Sequence, residues 1–404
     1  MKALIDQIKS KKKLSTKKVG AFFMEAGTGK TRPVIELVNE LKPSYVLYFA
    51  PYQCINTDNY KESTQHEIEK WGGFDCEYDL VGIESISMSD RIYLYLYKKI
   101  SIACKPVIIV DESLKIKNGD AKRTQRIHEL GKMVEYKYIL NGTPLSRNLL
   151  DLKAQMDFLS PTILNMSFPE FKNNFCEYKQ MTIRKPGAYR TRSKEWIVAY
   201  HNMDYLHKLI EPYIFSADLS LDVGIDFIDI NYDLQEDEVK EHRRIMDEVL
   251  SEEWLMAKPN FFLMLTQKLQ HNYSLSDEKL QIVADVLKNN PKTLIVAKFI
   301  DTQEQLKKKF PKARILSWQK HGHGLNLQYD FNEMLLFDQH WDFGLFDQII
   351  KRIYRTGQVK NCIIRRLVGN VGLETMMYEN VDKKADFLNE FKKLTLEEFK
   401  KKAG

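Results

Sequence analysis

The sequence predicts an α/β fold built on parallel sheets, and three observations predict it. Apolar runs of strand length alternate with segments of helical periodicity, first within residues 19–140 and again within 293–368. Val19-Gly20-Ala21-Phe22-Phe23 breaks into the turn Gly27-Thr28-Gly29, after which Lys30 and Thr31 open a helical pattern through Val34, Ile35, Leu37, Val38 and Leu41. Finally, Pro106-Val107-Ile108-Ile109-Val110 runs straight into Asp111-Glu112. A buried parallel strand delivers such a carboxylate pair at its C-terminal edge, where open α/β sheets bind ligands.

The bulk properties narrow the class. At 404 residues the chain has room for two or three domains, and 44% hydrophobic with 29% charged residues is the composition of a soluble globular protein. Neither an apolar run of membrane length nor a charged-then-apolar signal segment is present, so a membrane location is not expected. Five cysteines, scattered and never spaced as CxxC, argue against a disulfide framework or a zinc site and for a reducing, cytoplasmic setting. The net charge of +6 permits a nucleic-acid partner without requiring one.

In chain order, residues 2–18 carry seven lysines against Asp6, a basic arm suited to phosphates or equally to a solvated helix face followed by a loop. The stretch from Val19 to Thr31 has the context of a phosphate-binding loop: strand, glycine turn, Lys-Thr, helix. Its glycines let backbone N–H groups turn inward around phosphate oxygens, at a helix N-terminus whose dipole favours anions. Gly27, Thr28, Gly29, Lys30 and Thr31 are therefore the candidate nucleotide contacts. Lys30 would reach the β and γ phosphates, and the Thr31 hydroxyl would ligate Mg²⁺. The strict pattern asks for glycine where this chain has Met24.

Tyr45–Ala50 is a second strand, stopped by Pro51. Residues 52–80 are polar and mixed, and a helical stretch near Arg91–Ile100 precedes the Asp-Glu strand. Asp111 is placed to hold Mg²⁺ and Glu112 to polarise an attacking water. Tyr136–Leu140 ends at Asn141-Gly142-Thr143-Pro144, a loop facing the same edge. Helical patterns at Leu149–Leu159 and Phe168–Tyr178 flank the basic segment 184–194, whose central Pro186-Gly187 suggests a hairpin or loop. Arg184, Arg190 and Arg192 within it are candidate contacts to a phosphate backbone. A second helical block spans 232–290, with Val239–Leu250 and Phe261–Leu269 at helical spacing. Strands then follow at Thr293–Ala297, Arg314–Trp318, Met334–Asp338 and Ile363–Val368. His321 and His323 have no third ligand nearby in sequence, so a metal there is not expected.

AGTGKT at 26–31, VDESLKIKN at 110–118 and LNGTPLSRNLLDL at 140–152 resemble the first three motifs of the Swi/Snf-type DNA translocases, a branch of the superfamily-two helicase-like ATPases. Lys117-Asn118 and Asn148 are the features closest to that branch. HGHGLNLQ at 321–328 resembles its fifth motif and QIIKRIYRTGQ at 348–358 its sixth. The resemblance implies two RecA-like lobes with parallel sheets: lobe 1 over 1–150, a helical protrusion over 151–220, a helical protrusion or linker over 221–290, and lobe 2 over 291–404. Lobe 1 would supply Lys30, Thr31, Asp111 and Glu112. Lobe 2 would supply Arg352 and Arg355, three apart and so on one face of a helix, as paired arginine fingers for the γ-phosphate. Gln358 would lie on the nucleotide side. Gly324, Asn326, Thr143 and Pro51 would couple nucleotide to DNA, and Gln7 would read the adenine edge.

The implied ligands are ATP and Mg²⁺. The implied partner is double-stranded DNA, gripped by its backbone with little sequence preference, and a further protein for recruitment is open. A monomer of compact bacterial or phage type is expected. The activity implied is ATP-driven movement along duplex. A strand-separating DNA or RNA helicase and a nucleotide-gated scaffold with an idle ATPase are the competing readings. This chain departs from the family pattern at Lys351 (usually Gly), Tyr354 (His) and Ser113 (Ala). It lacks an arginine pair near Tyr213–Asp218, and the stretch between residues 297 and 322 is short by a strand-helix unit.

Overall fold

Apolar runs that stay buried from end to end need cover on both faces, and that is how this chain uses them. In the computed structural model, which describes residues 3–57, 60–142, 149–183, 192–217, 219, 221–251, 261–318 and 327–382, the chain divides into two units, residues 1–220 and 221–404. The strands of the first unit are β1 (Val19–Met24), β2 (Tyr45–Ala50), β3 (Glu77–Gly82), β4 (Pro106–Asp111), β5 (Tyr136–Asn141), β6 (Cys176–Ile183), β7 (Arg192–Tyr200) and β8 (Ile214–Ala217). Six of them form one sheet in the order β3-β2-β4-β5-β1-β8, with every neighbouring pair parallel. Every residue of β1 and β2 is buried, and two hydrophobic clusters cover the opposite faces of the sheet.

The second unit holds β9 (Ile225–Tyr232), β10 (Thr293–Ala297), β11 (Ile315–Ser317), β12 (Glu333–Leu336) and β13 (Cys362–Gly369). They form a five-stranded parallel sheet, β11-β10-β12-β13-β9, again with an apolar cluster on each face. Two α/β units with parallel sheets are the architecture that the sequence predicts.

Three strands of the two parallel sheets escape the sequence reading, and all three lie at sheet edges. β3 and β9 leave most of their residues partly or fully exposed, so no continuous apolar run marks them. β8 is four residues long and holds its place by pairing with the buried β1. Residues 151–220 and 221–290, expected to be helical, thus each contribute a strand to a sheet. The helix expected at Phe168–Tyr178 stops at Phe175, because Cys176 turns extended and begins β6. β6 pairs antiparallel with β7, with an irregularity at Glu177/Tyr178. Of residues 184–194, where a hairpin or loop is expected, 184–191 lie outside the described residues and Arg192 to Lys194 belong to β7.

Candidate nucleotide site

Register brings the chemistry of the first unit to one edge. β5 lies between β1 and β4, and Phe22, Leu140 and Asp111 share one row across the three strands. The chain leaves β1 for the glycine loop just beyond that row, so the loop and the Asp-Glu pair emerge on the same side. Gly27 and Gly29 take φ of 93° and 74°, the left-handed region that side chains resist, which is why this turn needs glycine. Lys30 then caps the helix Thr31–Leu41, with Lys30 and Thr31 both half-buried. The missing glycine at Met24 has a plain reason. Met24 is the last residue of β1, wholly buried and paired with Ala217, so its position has strand geometry and a place in the core.

Two supports of the loop were not legible in advance. Gln7, on the helix Ile5–Leu14, donates from Nε2 to the carbonyls of Thr28 (3.1 Å) and Gly29 (3.2 Å), while its Oε1 accepts from the Leu4 N–H at 3.0 Å. A Cβ on Gly29 would stand 2.5 Å from that Nε2, so a side chain there would push the Gln7 amide aside as well as strain φ. Both amide donors are thus committed to the loop backbone, and in this conformation Gln7 clamps the loop rather than presenting its donors to an adenine. On the other side β8 anchors the start of the loop. The Glu25 N–H donates to the Ala217 carbonyl at 2.9 Å, and Glu25 Oε2 accepts from Leu219 N–H at 2.7 Å. Thr28, buried, donates from Oγ1 to the Glu25 carbonyl at 2.7 Å.

Asp111 ends β4. Its Oδ1 accepts from the Glu112 N–H at 3.0 Å, and its Oδ2 from the Tyr48 hydroxyl at 3.3 Å. Burial pushes its carboxyl pKa up to about 6 against the opposing pull of the Lys30 charge, with Glu112 raising it further. The sign follows from that direction. The folded chain holds this proton more tightly than the unfolded one, so the stabilisation is full below the unfolded value near 4 and is lost as pH rises through about 6. Asp111→Asn is therefore expected to raise the melting temperature of the nucleotide-free protein at pH 7 relative to wild type, with the gap closing towards pH 4. A scanning-calorimetry series over that range checks it.

Glu112 sits at φ 53°, a left-handed conformation costing about 1–3 kcal/mol for a non-glycine residue, so its surroundings must hold it. Part of that hold runs through Ser113, the departure from the usual alanine. Its wholly buried hydroxyl donates to Gln155 Oε1 at 2.6 Å and accepts from Asn141 Nδ2 at 3.5 Å. Gln155, on the helix Leu150–Leu159, donates in turn to the Asp151 carbonyl at 2.8 Å, and Lys117 pairs with the Asp151 carboxylate at 3.4 Å. The stretches 110–118 and 140–152 are thereby tied through buried polar contacts. Gln155→Leu is expected to cost about 1–3 kcal/mol in urea unfolding, because it takes the acceptor from the buried Ser113 hydroxyl.

The second unit places its cations differently from expectation. The helix Phe343–Ile350 ends before either arginine, and Arg352 and Arg355 lie in the turns that follow, so they do not share a helix face. The reason is local. Arg352 is 4% exposed and its Nε donates to the Gln348 carbonyl at 3.0 Å, satisfying an acceptor that the end of the helix frees. Lys351 pairs with Asp347 at 2.9 Å, and Arg355 is half-buried. Gln358 is a correction of a second kind. Its Nε2 donates to the carbonyls of Phe331 (3.0 Å) and Ile353 (3.2 Å), and its Oε1 accepts from the N–H groups of Val359 and Lys360, both at 3.0 Å. All four positions of the amide are used by backbone, so Gln358 staples this loop and has none left for a nucleotide.

Pro51 closes β2 at the same edge as Asp111 and precedes the short helix Tyr52–Ile55. Arg192 opens β7. Thr143, Arg184, Arg190, Gly324 and Asn326, like His321 and His323, lie outside the described residues.

Residues 48–230 match the SNF2-related domain. The match takes in Asp111 and Glu112 and begins after the glycine loop, whose assignment rests on its own sequence and geometry. An uncharacterised ATP-dependent helicase of Mycoplasma pneumoniae is 22% identical over 312 residues, covering 66% of this chain and 28% of that protein. The DNA repair and recombination protein RDH54 of Saccharomyces cerevisiae is 22% identical over 331 residues, covering 65% of this chain and 35% of its own. A solved structure, the SWI2/SNF2 ATPase core of Sulfolobus solfataricus in complex with dsDNA, aligns over 100% of this chain and 97% of that one, at 19% identity and a TM-score of 0.42. The chain spans about a third or less of the length of the curated relatives it matches.

Proposed function

We propose that this chain hydrolyses ATP and uses the cycle to move along double-stranded DNA. The observation that carries the reading is the convergence, on one edge of one sheet, of a glycine loop with its Lys-Thr pair and a buried Asp-Glu pair. The loop's backbone N–H groups and Lys30 bind and orient the triphosphate. Glu112 orients the attacking water and takes up its proton as the bond from the γ-phosphorus to the bridging oxygen breaks, leaving ADP and phosphate. Asp111 fits a hard divalent cation: it is a buried carboxylate at the ligand edge whose hydrogen bonds come from a backbone N–H and a phenol. With Thr31 it would hold Mg²⁺, which neutralises charge on the phosphates. Arg355, with Arg352 beside it in sequence, supplies positive charge to the transferred phosphoryl during turnover.

The DNA part of the reading draws on the Swi/Snf type of the domain and on a relative named for DNA repair and recombination. Backbone contacts make such binding salt-sensitive and tolerant of sequence. ATPase rates measured side by side with duplex DNA, single-stranded DNA, RNA and no nucleic acid test it. Duplex is expected to stimulate most, and a rate unmoved by duplex contradicts the translocase reading. The alternative, strand separation on DNA or RNA, is tested by release of a labelled strand from a forked duplex.

A further inference from the structure

β2 is buried throughout, and Tyr48 at its middle is wholly enclosed among Val34, Val38, Ile68 and Phe74, its ring 6.3 Å from that of Phe74. A phenylalanine would serve that cluster equally well by shape, so the hydroxyl needs its own reason. Burying a phenol without a partner costs free energy. Register supplies the partner. Tyr48 lies opposite Ile109, and side chains two apart along a strand share a face, so Asp111 is the next residue up on Tyr48's side. The hydroxyl spans that step and donates to Asp111 Oδ2 at 3.3 Å, while the Glu112 N–H holds Oδ1 at 3.0 Å.

We propose that Tyr48 is a positioning residue for the Asp111 carboxylate, presenting it to a divalent cation in one orientation. With each oxygen held by one donor, the plane of the carboxylate is set and one lone pair on each oxygen is left for the cation or its bound water. Partners of this kind behind a metal-ligating group typically change metal affinity by about 10- to 100-fold when removed. The inference rests on the nucleotide reading of the same site and deepens it.

The test is a Mn²⁺ titration of the full chain saturated with a non-hydrolysable ATP analogue, free Mn²⁺ being read by electron paramagnetic resonance and compared with the analogue alone. Tyr48→Phe is expected to weaken Mn²⁺ binding about tenfold, with metal-free analogue affinity unchanged. Tyr138→Phe is the control. It removes a second buried phenol from the same apolar layer, one that donates to the Lys17 carbonyl at 3.2 Å, and should leave Mn²⁺ binding as in wild type. Equal Mn²⁺ affinity in wild type and Tyr48→Phe overturns the inference, as does equal weakening in the control. If the wild type itself adds nothing to Mn²⁺ binding by the analogue alone, the nucleotide reading falls and this inference with it.

Discussion

Lys30→Ala is expected to bring nucleotide turnover to background, a loss of about 10²- to 10³-fold or more, with little change in melting temperature. The lysine caps the helix that follows the glycine loop and is half-buried, so truncating it opens no core cavity. What it removes is the positive charge aimed at the β and γ phosphates. That charge also lowers the pKa of the Asp111 carboxyl against the effect of burial, so its loss leaves Asp111 more readily protonated and less able to meet a cation. Steady-state ATPase assays alongside a thermal melt check both halves. A variant retaining more than about a tenth of the wild-type rate would mean that the glycine loop is not where phosphate is handled, since removing even one such group costs about a hundredfold.

Arg355→Ala is expected to keep nucleotide affinity within about threefold while the hydrolytic step falls by roughly 10³- to 10⁵-fold. A guanidinium that matters only as charge develops on the transferred phosphoryl lowers kcat and kcat/KM together and leaves ground-state binding alone. Arg355 is the cleaner of the two arginines to test. Arg352 is buried with its Nε on the Gln348 carbonyl, so its removal also disturbs the end of a helix. Equilibrium binding of a fluorescent ATP analogue and single-turnover hydrolysis separate the two effects. Binding weakened as much as the rate would remove Arg355 from the transition state and make it an ordinary phosphate contact.

The central strands were legible because a parallel strand covered on both faces must be apolar along its whole length. β1, β2 and β10 obey that condition, and β4, β5 and β12 do so apart from residues at or near their ends, whereas β13 was read from its flanking aliphatics although Arg365 and Arg366 interrupt it. β3, β8 and β9 do not, since an edge strand takes its hydrogen bonds on one side and admits mixed composition. At the site, the glycine loop and Asp111-Glu112 could be read from spacing, because backbone geometry and strand direction dictate those residue types. The contacts holding them could not. Gln7 reaches the loop across more than twenty residues of sequence, and Ser113 becomes intelligible only once Gln155, on a later helix, is seen to face it. The helical reading of Arg352 and Arg355 failed on a local competition. The i, i+3 spacing suits a helix, but the chain turns after Ile350 and the Arg352 side chain takes over a freed carbonyl. Gln358 looked like a ligand because of its place in a motif, and the surrounding backbone uses up its whole amide.

Whether hydrolysis drives motion along an intact duplex is tested most directly by displacement of a third strand. A labelled oligonucleotide bound as a triplex on linear duplex DNA is incubated with the chain and ATP, and its release is followed over time. Release that requires ATP, is lost in Lys30→Ala and in Arg355→Ala, and leaves the duplex strands annealed is the expected result. A third strand that stays bound while ATP is being consumed would contradict translocation.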